Sequence, residues 1–146
     1  MEQGFLRYEE DGKLLEDATK FRSAVGALMY IAVCARPEIM TSAAILGRKF
    51  SAPSETDYIA EKCVIRYLIG TRDWRLNLGG ENSGLIAYSD SDWAGDTRTR
   101  KSTTGFVVFY SGGALSWASR RQDCVTLSTL EAEYVALTET CQEVIW

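Results

Sequence analysis

The chain has 146 residues, of which 46% are apolar, and it carries 16 Lys and Arg residues against 20 Asp and Glu residues. This composition is typical of a globular chain and excludes collagen-like, low-complexity and disordered classes. The sequence contains no histidine, which excludes Ser-His-Asp and Cys-His catalysis and every zinc site that uses imidazole. The net charge of −4 does not favour a nucleic-acid binder that acts through a basic face.

The first 18 residues are polar and acidic, and we predict a flexible arm there. A helical segment is predicted over residues 19–76. Its first helix spans residues 19–36, with Phe21, Val25 and Leu28 at helical spacing, and Pro37 ends it. The apolar run at 24–35 is shorter than the roughly 20 residues that a membrane span needs. We therefore expect no membrane partner.

Two more helices are predicted before residue 72. The first covers residues 38–50. The second begins at Ser54, whose hydroxyl stands three positions before the carboxylate of Asp57, the spacing of a capping box, and it ends at Gly70.

A strand pattern begins in the third segment, residues 77–146. Strands are predicted over 85–88, 105–110 and 114–119, with a hairpin turn at 111–113. The chain then ends in a helix whose apolar residues recur in a 4-3-4-3 pattern, at Leu130, Tyr134, Leu137, Cys141 and Val144. The predicted class is α+β, and the missing C-cap suggests a truncated unit.

Three groups of side chains have a structural interpretation. The four cysteines lack a C-x-x-C pair and are predicted to be buried thiols of a reduced protein. The aromatic side chains of Trp93, Phe106, Tyr110 and Trp117 are predicted to pack in the core and hairpin. Five basic residues suit either the phosphates of a nucleic-acid hybrid or a solvated loop: Arg98, Arg100, Lys101, Arg120 and Arg121.

Asp90 and Glu133 form the pair that carries chemistry. In the order strand, strand, strand, helix, the start of the helix can approach the end of the first strand. Two carboxylates brought together in this way suit Mg²⁺ and a substrate phosphate, whereas the alternative is two solvated surface acids. Asp92 is a second candidate, and Glu131 is predicted to cap the helix together with Ser128.

Seven segments between residues 21 and 134 have a distinctive order, and the stretch of chain to which they belong covers about residues 19–146. They are FRSAVGALMY at 21–30, ARPEI at 35–39, IRYLIGT at 65–71, YSDSDWAGD at 88–96, RKSTTGF at 100–106, LSWASRRQ at 115–122 and LSTLEAEY at 127–134. The last four resemble the ribonuclease H domain of copia-type retrotransposon polyproteins. The first three resemble the end of the reverse transcriptase of the same polyproteins.

The resemblance implies a three-helix reverse transcriptase remnant followed by a truncated ribonuclease H-like half-domain of three antiparallel strands and one helix. The family's first two catalytic carboxylates fall on Asp90 and Glu133, while its third and fourth acids would lie further downstream. We therefore expect a vestigial site that requires no cofactor. Mg²⁺ and an RNA–DNA hybrid would bind only if a longer parent chain or a partner completed the site. The first strand is left with an unpaired edge, for which we expect self-association.

The N-terminal arm carries a second resemblance, on the residues Gly4, Phe5, Leu6 and Arg7, followed by Glu9, Glu10 and Asp11. They resemble a degenerate Arg-x-Leu-Arg plus acidic motif of oomycete secreted effectors. That resemblance implies a non-catalytic effector that binds a host plant protein and acts on cell death or immunity; the alternative is a solvated acidic arm. No secretion signal is readable. An effector is expected to be secreted and to act in the host cell, whereas a protein without that role is expected in the cytoplasm or the nucleus.

Overall fold

A computed structural model describes residues 12–80 and 84–146. The chain divides into two compact units, Met1–Arg75 and Leu76–Trp146. The effector-like motif on residues 4–11 lies outside the described residues.

The first unit is helical. It contains α1 (Thr19–Cys34), a 3-10 turn (Pro37–Ile39), α2 (Met40–Gly47) and α3 (Glu55–Gly70). The three predicted helices are present, but a single helix over 38–50 is wrong. Pro37 opens a 3-10 turn first. After Gly47 the chain tightens, because Lys49 and Phe50 donate their N–H groups to carbonyls three residues back.

The predicted capping box at the start of α3 is confirmed. Ser54 Oγ accepts from the N–H of Asp57, and the Asp57 carboxylate accepts from the N–H of Ser54 at 2.8 Å. Residues 13–15 run antiparallel beside this cap, where the Leu15 N–H donates to the carbonyl of Pro53. The helices enclose one apolar core formed by Phe21, Val25, Leu28, Ala32, Ile39, Ala43, Leu46, Ala60 and Val64.

The second unit contains β1 (Leu85–Asp92), β2 (Thr103–Tyr110), β3 (Gly113–Arg121) and α4 (Thr129–Ile145). The strands form an antiparallel sheet in the order β1-β2-β3, and the predicted α+β class is confirmed. Each strand is longer than predicted, so that Asp90 and Asp92 lie within β1 and pair with Gly105 and Thr103. Within residues 12–80 and 84–146, β2 alone pairs with β1.

Gly113, at the start of β3, lies against residues 77–79. A Cβ atom at this buried position would stand 2.9 Å from the carbonyl oxygen of Asn77 and 3.0 Å from the Cα of Leu78. Both distances are shorter than a non-bonded contact allows. Only glycine therefore lets the backbone at 77–79 cross β3 here.

Helix α4 packs on β1 and β2 through small side chains. Its buried residues are Ala132, Ala136 and Thr140, and the sheet supplies the bulky buried residues Phe106 and Val108. The 4-3-4-3 set is instead exposed, from Leu130 to Val144. An apolar period thus identified the helix but not the face that packs on the sheet.

The prediction of buried cysteines is wrong, because all four thiols are exposed. Cys34 and Cys63, for example, lie outside the buried faces of α1 and α3, which include Ala32 and Val64. Among the aromatic residues Phe106 is buried as predicted, but Trp93 and Tyr110 are about half exposed. In the described residues, no helix is both long and apolar enough to cross a membrane.

Candidate functional site

The loop between β1 and β2 is held by a buried carboxylate, Asp96. Its Oδ1 accepts from the N–H groups of Arg98 and Thr99 at 3.1 and 3.0 Å, and its Oδ2 accepts from Arg121 Nη1 at 2.7 Å. Burial alone would raise the pKa of Asp96. The hydrogen bonds and the Arg121 charge outweigh burial and hold that pKa well below its usual range.

A second buried group joins the same loop to the start of α4. Ser102 Oγ accepts from the N–H of Ala94 and shares a hydrogen bond with Thr126 Oγ1, both at 3.0 Å. Trp93 Nε1 donates to the carbonyl of Thr126 at 3.2 Å. Ala94 adopts a φ of 53°, in the left-handed region, and its N–H is thereby paired inside the protein.

Gln122 connects three elements. It is almost fully buried, and its side-chain Nε2 donates to Thr104 Oγ1 on β2 at 3.1 Å and to the Ala132 carbonyl on α4 at 2.9 Å. Its backbone N–H donates to the carbonyl of Ser102. The side of β2 that carries Thr104 is therefore the side covered by α4.

Asp90 lies on the other side of the sheet from α4. Thr104 pairs with Ser91 in the register, and paired residues share a face. Because consecutive strand residues point to opposite faces, Ser91 faces α4 and its neighbour Asp90 faces away. The side chain of Asp90 is exposed.

Glu133 lies on α4 and reaches the backbone of β1. Its Oε1 accepts from the N–H of Ser91 at 3.4 Å. Asp92, the second candidate, accepts from the N–H of Thr103. Two of the three candidate acids thus accept from backbone N–H groups, and the Glu133 carboxylate lies at the outer edge of β1, against the residue that follows Asp90. Within the described residues, no three Asp, Glu, Cys or His side chains come together as a metal-binding group.

Two of the five basic residues have structural partners. Arg121 bonds to Asp96, and the guanidinium of Arg120 lies 5.7 Å from the ring centre of Phe106. Arg98 and Arg100 are exposed in the loop. The loop therefore carries exposed basic side chains, and the hydrogen bonds of Asp96 fix the conformation of its backbone.

The cap of α4 differs in detail from the predicted box. Ser128 Oγ accepts from the N–H of Glu131 at 3.2 Å as expected, but the Glu131 carboxylate accepts from the N–H of Leu127 at 2.7 Å, not from that of Ser128. The chain enters the helix in an extended conformation at Ser128, which brings the N–H of Leu127 within reach.

This cap predicts different costs for two neighbouring acids. Replacing Glu131 by alanine should lower the free energy of unfolding by roughly 0.5–2 kcal/mol, because the start of α4 loses a cap. Replacing Glu133 should cost less than about 0.5 kcal/mol, since its single hydrogen bond is long, at 3.4 Å, and only partly buried. Thermal denaturation of both variants measures the difference, and equal losses would contradict it.

Sequence reasoning missed the polar network of Ser102, Thr104, Gln122 and Thr126. Each is buried, and each stands in or beside a segment that carries the polyprotein resemblance. The available signal was the spacing of Ser102, Thr104, Phe106 and Val108 at every second position. In a strand this spacing places the two hydroxyls on the same face as the two apolar core residues.

Comparison with known proteins gives several relatives over nearly the whole chain. The chain is 46% identical over 94% of its length to the retrovirus-related Pol polyprotein from transposon TNT 1-94 of Nicotiana tabacum. It is 39% identical over 92% of its length to the corresponding polyprotein from transposon RE2 of Arabidopsis thaliana. The chain spans only 10% and 9% of these two relatives.

A third relative is similar in length to this chain. The secreted RxLR effector protein 161 of Plasmopara viticola is 42% identical over 86% of the chain and 89% of its own length. No protein-family model and no solved structure matches the chain. The sequence identities to the two transposon proteins and the seven segments described above both show the same family. The chain therefore belongs to the family of copia-type, retrovirus-related Pol polyproteins of transposons.

Proposed function

We propose that this chain acts as a catalytically incomplete, Pol-derived protein that works by binding another protein, in the manner of a secreted effector. One observation carries the first half of this proposal. The carboxylate of Glu133 accepts from the Ser91 N–H at the outer edge of β1, and within the described residues no three Asp, Glu, Cys or His side chains come together as a metal-binding group. One long backbone contact without a carboxylate cluster supports a non-catalytic role.

The donor set does not fit a pair of Mg²⁺ ions. Two-metal phosphoryl chemistry holds both ions about 4 Å apart with several carboxylate oxygens. Asp92 accepts from Thr103 and Glu133 from Ser91, which leaves Asp90 as the one candidate acid without such a bond to the described backbone.

We expect the purified 146-residue chain not to cleave the RNA strand of an RNA–DNA hybrid in Mg²⁺ or Mn²⁺, because within the described residues no three carboxylates come together to hold two ions. Gel analysis of a labelled hybrid measures this, with Asp90→Asn and Glu133→Gln as matched variants. Cleavage by the unmodified chain that disappears in both variants would overturn the proposal. Cleavage that persists in both would identify a contaminating nuclease and leave the expected inactivity standing.

The effector half of the proposal rests on the Plasmopara viticola relative, whose name gives its class and whose length this chain nearly covers. The degenerate motif from Gly4 to Asp11 points the same way. Under this proposal the protein acts inside host plant cells through a host plant protein. Its folded surface, not a catalytic centre, determines the effect on cell death or immunity.

Expression of the tagged chain in leaf cells tests this half. We expect a changed cell-death response relative to a tag-only control, and loss of that change when the fold is disrupted by Gln122→Ala. A surface variant, Gln142→Ala, should retain it. A response identical to that of the tag alone, at equal protein abundance, would overturn the effector role.

A second function has its own observation. Asp90 and Glu133 lie on the strand and helix that the polyprotein resemblance assigns to the first two catalytic acids, and the chain spans only 10% of its tobacco Pol relative. The alternative proposal is a ribonuclease H completed by a longer parent chain or by a partner. Hybrid cleavage by a chain extended with the continuation of a Pol relative, lost in Asp90→Asn, would favour it.

A further inference from the structure

The outer edge of β1 carries backbone groups that β2 does not use. Ser91 donates its N–H to Glu133, so this group points away from β2. In an antiparallel pair such groups alternate along the strand. The N–H and C=O groups of Leu85, Ala87 and Ser89 therefore point outward as well. Leu85, Ala87 and most of the strand are exposed.

The exposed stripe of α4 lies above the same edge. Relative to Glu133, which reaches Ser91 at this edge, Leu130 stands three positions before, Leu137 four positions after and Val144 eleven positions after. These spacings place all four side chains on one side of a helix. Leu130 is 65% exposed and Leu137 is 49% exposed. The strand edge and the helix stripe thus form one continuous surface.

We propose that this surface binds a second copy of the chain, with β1 pairing antiparallel to β1 of the partner copy about a two-fold axis at Ala87. The proposal is independent of the effector role. An axis perpendicular to the sheet joins the two sheets into one of six strands. It also places both α4 helices on the same face, where their exposed stripes meet.

The register centred on Ala87 is favoured by the side chains on both sides of the strand. It pairs Leu85 with Ser89 of the second copy through outward backbone groups, and Ile86 with Tyr88 on the face away from α4. Ile86 and Tyr88 are 41% and 61% exposed, and a β-branched residue opposite an aromatic one is a favourable cross-strand pair.

Charge supports the same occupant and register. Asp90 and Asp92 lie towards the C-terminal end of β1, so an antiparallel pairing centred on Ala87 places the acids of the two copies at opposite ends of the interface. Within β1, no acid of one copy then faces an acid of the other. A second copy also satisfies the closed two-fold symmetry that a self-complementary surface requires.

Sedimentation velocity of the full chain under reducing conditions tests the proposal, since the four exposed thiols would otherwise add disulfide-linked species. Over about 1–100 µM we expect a reversible dimer with twice the mass of the 16.3 kDa chain. Ile86→Lys and Leu137→Glu should each raise the dissociation constant about tenfold or more. Ile69→Lys changes a comparably exposed isoleucine of α3 and should leave it unchanged.

A second measurement tests the register. In a chain whose four cysteines are replaced by serine, Ala87→Cys should form an intermolecular disulfide on oxidation, because directly paired residues lie about 5.5 Å apart. Leu115→Cys, an exposed site on β3, should not.

A monomer throughout the concentration range, larger aggregates in place of a dimer, equal weakening by Ile69→Lys, or equal crosslinking at both positions would overturn the proposal. Circular dichroism checks that each variant is folded, and the exposed Leu137→Glu provides the test if Ile86→Lys is not.

Discussion

Replacing Gln122 by alanine is expected to lower the free energy of unfolding of the second unit by about 2–4 kcal/mol. The side chain is 1% exposed and gives hydrogen bonds to Thr104 on β2 and to the carbonyl of Ala132 on α4. Its removal leaves Thr104 Oγ1 without this donor and opens a cavity where the end of β3 meets the helix. One side chain therefore holds β2 and α4 to the end of β3.

Hydrogen exchange of the β2 amides measures this loss, because those amides report on the second unit alone. The control is Gln142→Ala, which removes an exposed glutamine of α4 and should cost less than about 0.5 kcal/mol. Similar losses in the two variants would mean that the Gln122 bonds do not hold the helix to the sheet.

Asp96→Asn is expected to destabilise the second unit by about 1.5–3 kcal/mol at neutral pH, because the amide lacks the charge and has only one acceptor oxygen. Its NH2 group must face either Arg121 or the backbone N–H groups of Arg98 and Thr99, all of which are donors. The pKa of Asp96 is lowered in the folded protein. As the pH falls below about 4, the unfolded chain takes up the proton first, so the stabilisation by Asp96 is complete above that range and is lost below it. The gap between the two proteins should therefore narrow in acid.

Urea denaturation at a series of pH values tests this dependence, with Asp123→Asn as the control, since Asp123 is exposed. The control should follow the unmodified protein at every pH. A gap between the unmodified protein and Asp96→Asn that stays constant from neutral pH into acid would show that the lowered pKa does not contribute to stability.

Local patterns predicted the elements of this fold but not the face that α4 buries. Two stripes on α4 have the same helical period, one from Leu130 to Val144 and one of Ala132, Ala136 and Thr140. The larger apolar residues give the stronger sequence signal. The sheet nevertheless takes the small ones, because Phe106 and Val108 already fill the space between the layers. The space between the sheet and the helix decides which face of α4 is buried, and the periodicity of the α4 sequence alone does not contain that information.

The candidate site shows the same limit. The order of elements placed Asp90 on a strand and Glu133 on the helix, but the side of the sheet depends on strand register. The pairing of Ser91 with Thr104 and the bridge through Gln122 determine it. These contacts join residues far apart in sequence, and no spacing along the chain encodes them. Asp96, with its neighbours Arg98 and Thr99, could be recognised only once Arg121 was placed beside it.

Gly113 gives a criterion for sorting further relatives of this chain. At this position any side chain would meet the backbone of residues 77–79, and no rotamer avoids a contact made at Cβ. A relative that retains glycine here can keep that crossing. A relative with a larger residue must have moved the crossing segment away from β3, whatever its overall identity. The amino acid at this one position therefore indicates whether the chain of a relative enters its sheet by the same path.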